Sequence, residues 1–281
     1  MEEKKFLEKS IDSGKGKICY YAIGDREKTA VLFLHGLSAN HTTWERAALK
    51  ACELGFYSIL PDLRGHGHSD KTRSKKLYRL ERFSNDLKLI LDNEGIKNII
   101  LVGYSFGGSL AIDFSLKFSQ MVKGLVLVSA NHENPLNYWR SKVIIPLAKA
   151  FFFSLSYLFI WQKRKAYDYY RPIKEKGYFK SVWLGLKTMP ISVNLWMLMM
   201  MAEVKFKNRL SKINAPVWIV HSDHDPFVTK AEVNDMLNSF PNAKDIVSKN
   251  KNHFLATAAM EETMEIIIRF LKEIIIKEKL S

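Results

Sequence analysis

The sequence predicts an α/β protein built on a doubly wound, mostly parallel sheet. Short apolar segments alternate with helix-like segments over residues 16–130, and the alternation resumes after residue 215. The apolar segments are continuously hydrophobic, which is typical of parallel strands covered on both faces. Alternating strands and helices favour one sheet with helices on both sides. The predicted strands are residues 17–22, 30–34, 57–60, 98–102, 124–129, 217–220 and 243–248.

Helices are predicted between these strands by amphipathic spacing. The last one, over residues 261–278, repeats apolar residues at i, i+3, i+4, i+7 and i+11, which gives it one apolar face. That face consists of Met264, Ile267, Ile268, Leu271 and Ile275. The other predicted helices are residues 42–53, 79–93, 106–118 and 230–239.

Composition excludes a disordered chain. The 281 residues are 47% hydrophobic and 26% charged, which is enough apolar material for one large domain or a domain with an insertion. The two cysteines, Cys19 and Cys52, cannot form a disulfide framework, so we expect a reducing compartment. The charged N-terminus lacks the apolar segment of a signal peptide, and together these features predict a cytoplasmic location.

The middle of the chain, residues 131–215, has a different composition. It contains 16 of the 34 aromatic residues, and its 15 basic and 4 acidic residues give +11 of the net +14. We interpret it as a helical cap inserted into a core formed by residues 1–130 and 216–281. A charge of this size and sign indicates an anionic partner. No nucleic-acid motif accompanies it, so we do not expect nucleic-acid binding.

A catalytic motif follows the predicted strand over residues 98–102. Gly103-Tyr104-Ser105-Phe106-Gly107-Gly108 has the pattern Gly-x-Ser-x-Gly between a strand and a helix, the context of a nucleophile elbow. Small residues on both sides of the serine permit the close backbone approach that such a strained turn requires. The N-terminus of the following helix favours negative charge near Ser105.

The loop after the strand over residues 30–34 predicts an oxyanion hole. Acyl transfer requires two N–H groups that converge on one oxygen, and the amides of Leu37 and Phe106 are the candidates. We interpret His35 as a residue that orients this loop. His66 and His68 in the loop after the next strand resemble metal ligands, but no third ligand has suitable spacing, and we favour a packed loop.

A serine nucleophile needs a histidine base and a carboxylate that orients it, in the chain order Ser…Asp…His. The loop after the strand over residues 217–220 offers Asp223 and Asp225, and we prefer Asp225 because it lies deeper in the turn. His253 is the histidine in the last loop of the sheet. A metal cluster of His221, Asp223, His224 and Asp225 is the alternative for this loop, although four residues so close in one turn rarely converge on one ion.

These motifs resemble those of the α/β-hydrolase superfamily over nearly all of residues 16–279, and within it the carboxylesterases and monoacylglycerol-lipase-like members. The resemblance implies an α/β-hydrolase fold with a helical cap inserted after the sixth strand. Epoxide hydrolases and haloalkane dehalogenases are similar but use an aspartate nucleophile, and Ser105 argues against both. Asn252 stands where the family has glycine before the catalytic histidine.

The expected activity is hydrolysis of esters with hydrophobic acyl groups through an acyl-enzyme, without metal or organic cofactor. A thioester, C–C or amide bond is the alternative for the same triad. A catalytically silent ligand-binding protein is the alternative from another class. Substrate-binding residues are expected among the cap side chains Trp139, Trp196, Met197 and Met200.

The basic, aromatic cap also predicts contact with an anionic membrane surface, and cap motion would control entry of the substrate. The alternatives are a cap that only packs over the pocket and a membrane-inserted hairpin of residues 143–161 and 182–202. Each of these stretches contains a lysine and a proline, which disfavours insertion.

Overall fold

The computed structural model describes residues 5–134, 144–162, 189–250, 253, 255–256 and 259–280. Eight strands form one sheet in the order β1-β2-β4-β3-β5-β6-β7-β8. β1 and β2 pair antiparallel, β2 pairs antiparallel with β4, and the six strands from β3 to β8 run parallel. The strands are Leu7–Asp12, Lys17–Ile23, Ala30–Leu34, Tyr57–Pro61, Ile99–Tyr104, Val122–Val128, Val217–His221 and Ala243–Val247.

Helices cover both faces of the sheet, which confirms the predicted fold class. In the order α1 to α7, they are Glu45–Glu53, Leu80–Asn93, Phe106–Lys117, Ile144–Leu158, Ile191–Met201, Lys230–Ser239 and Met260–Leu280. The helix predicted from residue 42 begins instead as a short 3-10 turn, His41–Thr43, before α1 starts at Glu45.

β1 was not predicted from the sequence. Its side chains are mostly exposed, Leu7 among them, because the strand lies at the edge of the sheet and pairs only with β2. A strand with so few buried side chains lacks the continuous apolar run that identified the others.

The helices α4 and α5 lie between β6 and β7, where the cap was predicted. α4 packs against α5, and the Trp196 indole of α5 donates a hydrogen bond of 2.9 Å to Ser156 Oγ of α4. A bridge between Glu133 and Lys205 joins the two ends of this region. No helix in the described part of the chain has the length and apolar character to cross a membrane.

The parallel direction of β3 to β8 positions the candidate site. The carboxyl ends of parallel strands lie at the same end of the sheet, and ligands of open α/β sheets bind there. The loops that follow β3, β5, β7 and β8 carry Leu37, Ser105, Asp225 and His253, respectively. Four segments that are distant in the chain therefore meet at one end of the sheet.

Candidate active site

Ser105 lies between β5 and α3 in a strained conformation. Its φ of 50° is in the left-handed region that favours glycine, although the residue is serine. The flanking glycines make this turn sterically feasible. A Cβ on Gly103 would lie 2.5 Å from the Gly107 carbonyl oxygen, and one on Gly107 would overlap the Leu34 carbonyl. The structure thus supports the steric reason given for the Gly-x-Ser-x-Gly pattern.

Ser105, His253 and Asp225 form a continuous hydrogen-bonded chain. Ser105 Oγ lies 3.1 Å from His253 Nε2. His253 Nδ1 lies 2.8 and 2.9 Å from the two carboxylate oxygens of Asp225, so Nδ1 carries the donated proton and Nε2 accepts from the serine hydroxyl. The aspartate and the histidine are both buried. This is the arrangement in which a histidine takes a proton from a serine hydroxyl.

Asp225 is held by its own loop as well as by the histidine. Its Oδ1 accepts hydrogen bonds from the amides of Phe227, at 2.8 Å, and Val228, at 3.0 Å. Asp223, the other sequence candidate, is exposed. His221 contacts a different carboxylate, because its Nε2 lies 2.8 Å from Asp245 Oδ1. The structure therefore separates the four residues of the alternative metal cluster and joins only Asp225 to His253.

The loop after β3 carries the Leu37 amide and is fixed by two buried histidines. His35 Nδ1 donates to the Gly36 carbonyl at 2.8 Å, and its Nε2 accepts from the Leu63 amide at 3.1 Å. His66 Nε2 accepts from the Ser38 amide at 3.2 Å. Burial lowers the pKa of His35 to about 4 and lowers the pKa of His66 well below its ordinary value. Both rings are therefore neutral at pH 7 and remain hydrogen-bond acceptors.

Asp62 organises the loop that carries His66. Its Oδ1 accepts from the backbone amide and the ring Nδ1 of His41, at 2.9 and 2.8 Å, and its Oδ2 accepts from the His68 amide at 2.7 Å. Burial alone would raise the pKa of Asp62, but the hydrogen bonds and charge of His41 outweigh it and lower the pKa well below its usual range. His66 and His68 thus stabilise a packed loop, as the sequence analysis favoured.

Three of the four predicted substrate-binding residues lie on α5. Trp139 is outside the described residues. Trp196 and Met197 are buried in the apolar cluster that also contains Phe106, and Met200 is half-buried against it. The Trp196 ring packs 5.6 Å from the ring of Tyr78, centroid to centroid, so it joins α5 to the segment that precedes α2.

The described residues contain no group of three or more histidine, cysteine or acidic side chains arranged to hold a metal ion. The side chains of Cys19 and Cys52 are both buried. The chemistry that the described site offers is that of a serine, a histidine and a carboxylate beside a helix N-terminus.

Comparison with known proteins agrees with the observed fold. Residues 29–149 match a family described as having the alpha/beta hydrolase fold. An uncharacterized protein of Mycobacterium tuberculosis is 40% identical over 101 residues, covering 36% of this chain and 29% of that protein. Human epoxide hydrolase 4 is 32% identical over 123 residues, which cover 44% of this chain and 33% of that protein. The matched segment spans about a third of the length of these curated relatives.

Solved structures extend the likeness to nearly the whole chain. A thermophilic esterase from Thermogutta terrifontis has a TM-score of 0.74 at 19% identity, covering 97% of this chain and 99% of that chain. A proline iminopeptidase of Mycobacterium smegmatis has a TM-score of 0.74 at 15% identity, and the match covers 95% of this chain and 98% of that chain. At these identities the likeness is one of fold.

The mostly parallel sheet, the strand-to-helix elbow and the region of helices after the sixth strand define an α/β-hydrolase fold. The family match covers residues 29–149, and the chain shares the α/β-hydrolase fold with solved structures along nearly its whole length.

Proposed function

We propose that the protein is a serine hydrolase that cleaves carboxylic esters of hydrophobic acyl groups. The observation that carries the proposal is the hydrogen-bonded chain from Ser105 through His253 to Asp225, which begins at a strained elbow and ends on a buried carboxylate. Strain of this kind persists only where the surrounding structure enforces it, and it is common at active sites.

In the proposed reaction Ser105 Oγ attacks the ester carbonyl carbon while its proton passes to His253 Nε2. The oxyanion accepts hydrogen bonds from the amides of Phe106 and Leu37. When the tetrahedral intermediate collapses, the C–O bond breaks and the alcohol leaves with the proton from His253. Water then attacks the acyl-enzyme while its proton passes to His253 Nε2. His253 returns that proton to Ser105 Oγ as the acyl C–O bond breaks, which releases the acid and restores Ser105. Asp225 stabilises the imidazolium at each stage.

Epoxide hydrolysis, which the names of some relatives raise, is less compatible with a serine at the elbow. Opening of an epoxide by Ser105 would produce an ether, and neither the oxyanion hole nor the histidine assists hydrolysis of an ether. An acyl-serine, in contrast, has the carbonyl group that this site is built to polarise. Thioester, C–C and amide substrates share that carbonyl and remain the alternative for the same triad.

Steady-state kinetics on a panel of substrates tests the proposal. We expect p-nitrophenyl esters of medium and long acyl chains to be hydrolysed faster than acyl-CoA thioesters, anilides and styrene oxide. The Ser105→Ala variant should lower kcat by at least about 10⁴-fold. Turnover of the epoxide but not the esters, or ester turnover unchanged by Ser105→Ala, would contradict it. Ser222→Ala, a buried serine in the β7 loop, serves as the control.

We further propose that the cap contacts an anionic membrane surface through α4. Leu147, Phe151 and Leu158 lie on one face of this helix, and Trp161 follows its C-terminal end; their exposed fractions are 62–76%. Amphipathic helices with exposed aromatic and aliphatic side chains bind at the interface of lipid bilayers. Ester substrates with long acyl chains reside in such bilayers.

Basic residues border this apolar face. The guanidinium carbon of Arg73 lies 5.0 Å from the centroid of the Trp161 ring, and Lys75 Nζ lies 4.5 Å from that of Phe153. Both cations are on exposed residues, and Lys76 beside them is exposed as well. Each cation near anionic headgroups contributes about 1 kcal/mol, so the surface combines apolar and electrostatic attraction.

Sedimentation with vesicles tests this contact. The protein should bind phosphatidylglycerol vesicles more than phosphatidylcholine vesicles, and 0.5 M salt should weaken the binding. Phe151→Ser and Lys75→Glu should each reduce it. The matched controls are Ile276→Ser, an equally exposed apolar residue on α7, and Lys28→Glu, an exposed lysine before β3. Equal loss in the controls, or no binding to either vesicle, would contradict the membrane contact.

A further inference from the structure

The cap helix α5 has one buried amide in an otherwise apolar segment. Asn194 is 7% exposed and stands between Val193 and Leu195. Burying an amide is costly unless its polar atoms are hydrogen-bonded. Asn194 Nδ2 donates to the Pro190 carbonyl at 3.3 Å, and Oδ1 accepts a hydrogen bond of 2.6 Å from Ser38 Oγ. The amide thus joins the cap to the loop after β3, across 156 positions of the chain.

Ser38 directly follows the proposed oxyanion donor Leu37. Like Ser105, it is a non-glycine residue in the left-handed region, with φ 60°. Its amide is held by His66 and its hydroxyl by Asn194. A serine in this region is strained, and the conformation persists because neighbouring groups enforce it. One of the two side chains that enforce it belongs to the cap.

The Leu37 N–H is oriented by contacts on both sides of the residue. The Gly36 carbonyl, which shares a peptide plane with that N–H, accepts hydrogen bonds from His35 Nδ1 at 2.8 Å and the Ala39 amide at 3.2 Å. In a trans peptide the N–H points opposite to the carbonyl. Fixing Gly36 O therefore directs the Leu37 N–H the other way, and fixing Ser38 prevents rotation on the C-terminal side of Leu37.

We propose that Asn194 is a positioning residue that holds the Leu37 amide in the oxyanion hole from the cap. This inference rests on the proposed serine-hydrolase function. Movement of α5 away from the core breaks the Asn194–Ser38 hydrogen bond, and the loop then loses one of its two side-chain supports at Ser38. The site therefore stabilises the oxyanion best while α5 is seated, so that cap closure and catalysis are coupled through one hydrogen bond.

A double-mutant cycle on Asn194→Ala and Ser38→Ala tests the inference. Loss of a whole oxyanion donor costs about 10²–10³ in kcat, and we expect each variant to lose about 10–100-fold because the donor is displaced rather than deleted. KM should change by less than about threefold. The double variant should be no slower than the slower single variant, since both remove the same interaction. Asn194→Asp, which keeps an acceptor for the Ser38 hydroxyl, should retain more activity than Asn194→Ala.

Two readouts separate positioning from general damage. The affinity of a trifluoromethyl ketone, which forms a tetrahedral oxyanion on Ser105, should fall in parallel with kcat. Ser192→Ala, a buried polar neighbour on α5, should leave both unchanged. Multiplicative losses in the double variant, or a raised KM with unchanged kcat, would overturn the inference. If the wild-type protein itself lacks Ser105-dependent ester hydrolysis, the proposed function fails instead.

Discussion

Replacement of Asp225 by asparagine preserves the shape of the side chain but changes the proton pattern of the site. The amides of Phe227 and Val228 both donate to Oδ1, so the asparagine must keep its carbonyl oxygen at that position. Its NH₂ group then takes the position of Oδ2, which lies 2.8 Å from His253 Nδ1. Two donors repel each other there, which favours the His253 tautomer with its proton on Nε2, in which Nδ1 accepts from the NH₂ group.

A histidine in that tautomer cannot accept the proton of Ser105. Restoring the productive tautomer brings Nδ1–H against the NH₂ group and replaces a charge-assisted hydrogen bond, worth about 1.5–3 kcal/mol, by a neutral one. We expect these costs and the lost stabilisation of the imidazolium to total about 5 kcal/mol, or about 10⁴-fold in kcat. A comparable Asp→Asn change in the serine protease triad has an effect of this size.

The assay is ester hydrolysis by Asp225→Asn at pH 7, combined with ¹⁵N NMR of the His253 ring to identify its tautomer. Circular dichroism should show that the variant stays folded, because the loop amides keep their acceptor. Asp223→Asn, an exposed aspartate two positions earlier, is the control and should retain full activity. The reasoning is refuted if Asp225→Asn retains more than a tenth of the wild-type kcat, or if the control loses as much.

Three further predictions concern the loops that support the site. Gly67→Ala should lower the free energy of unfolding, measured by urea titration, by roughly 2–4 kcal/mol, because φ is 45° and a Cβ would overlap the buried Asp62 carboxylate. The control Gly14→Ala, where φ is 68° but the space is open, should lower it by about 1 kcal/mol. The folded-state pKa of His35 is about 4, below its ordinary value of 6.5, so the unfolded chain binds a proton at a higher pH than the folded protein does. The free energy of unfolding should therefore fall by up to about 3 kcal/mol as the pH decreases from 6.5 towards 4. Urea unfolding at pH 7 and pH 4.5 measures this loss, which His35→Gln should reduce. Arg64→Met should lower the free energy of unfolding by about 3–5 kcal/mol, because it leaves the buried Asp86 unpaired. Thermal unfolding should show that adding Asp86→Leu to this variant recovers most of the lost stability.

Most of the fold could be predicted from the sequence because buried parallel strands have a strong local signature. β3, from Ala30 to Leu34, has five fully buried residues in a row, and its predicted bounds match the structure. β1 shows the limit of this signal. Its pairing with β2 contributes the backbone hydrogen bonds, but its side chains bury too little to produce an apolar pattern.

The three residues of the proposed triad could be chosen from the sequence because chain order and loop position restrict the candidates. Ser105 was identified by its glycine neighbours, and His253 by its place in the last loop. The supports of the oxyanion loop could not be chosen in this way. Ser38 and Asn194 are 156 positions apart, and only the three-dimensional seating of α5 brings them together. The one available signal was a polar Asn194 within an apolar helical segment.

The central claim is that Ser105 is a nucleophile activated by His253, and a fluorophosphonate probe tests it most directly. The probe forms a stable phosphonyl ester with an activated serine, so intact-mass spectrometry reports a single adduct and peptide mapping locates it. We expect one adduct on the wild-type protein, located at Ser105, slow labelling of His253→Ala and no labelling of Ser105→Ala. Equal labelling of wild type and Ser105→Ala would contradict it.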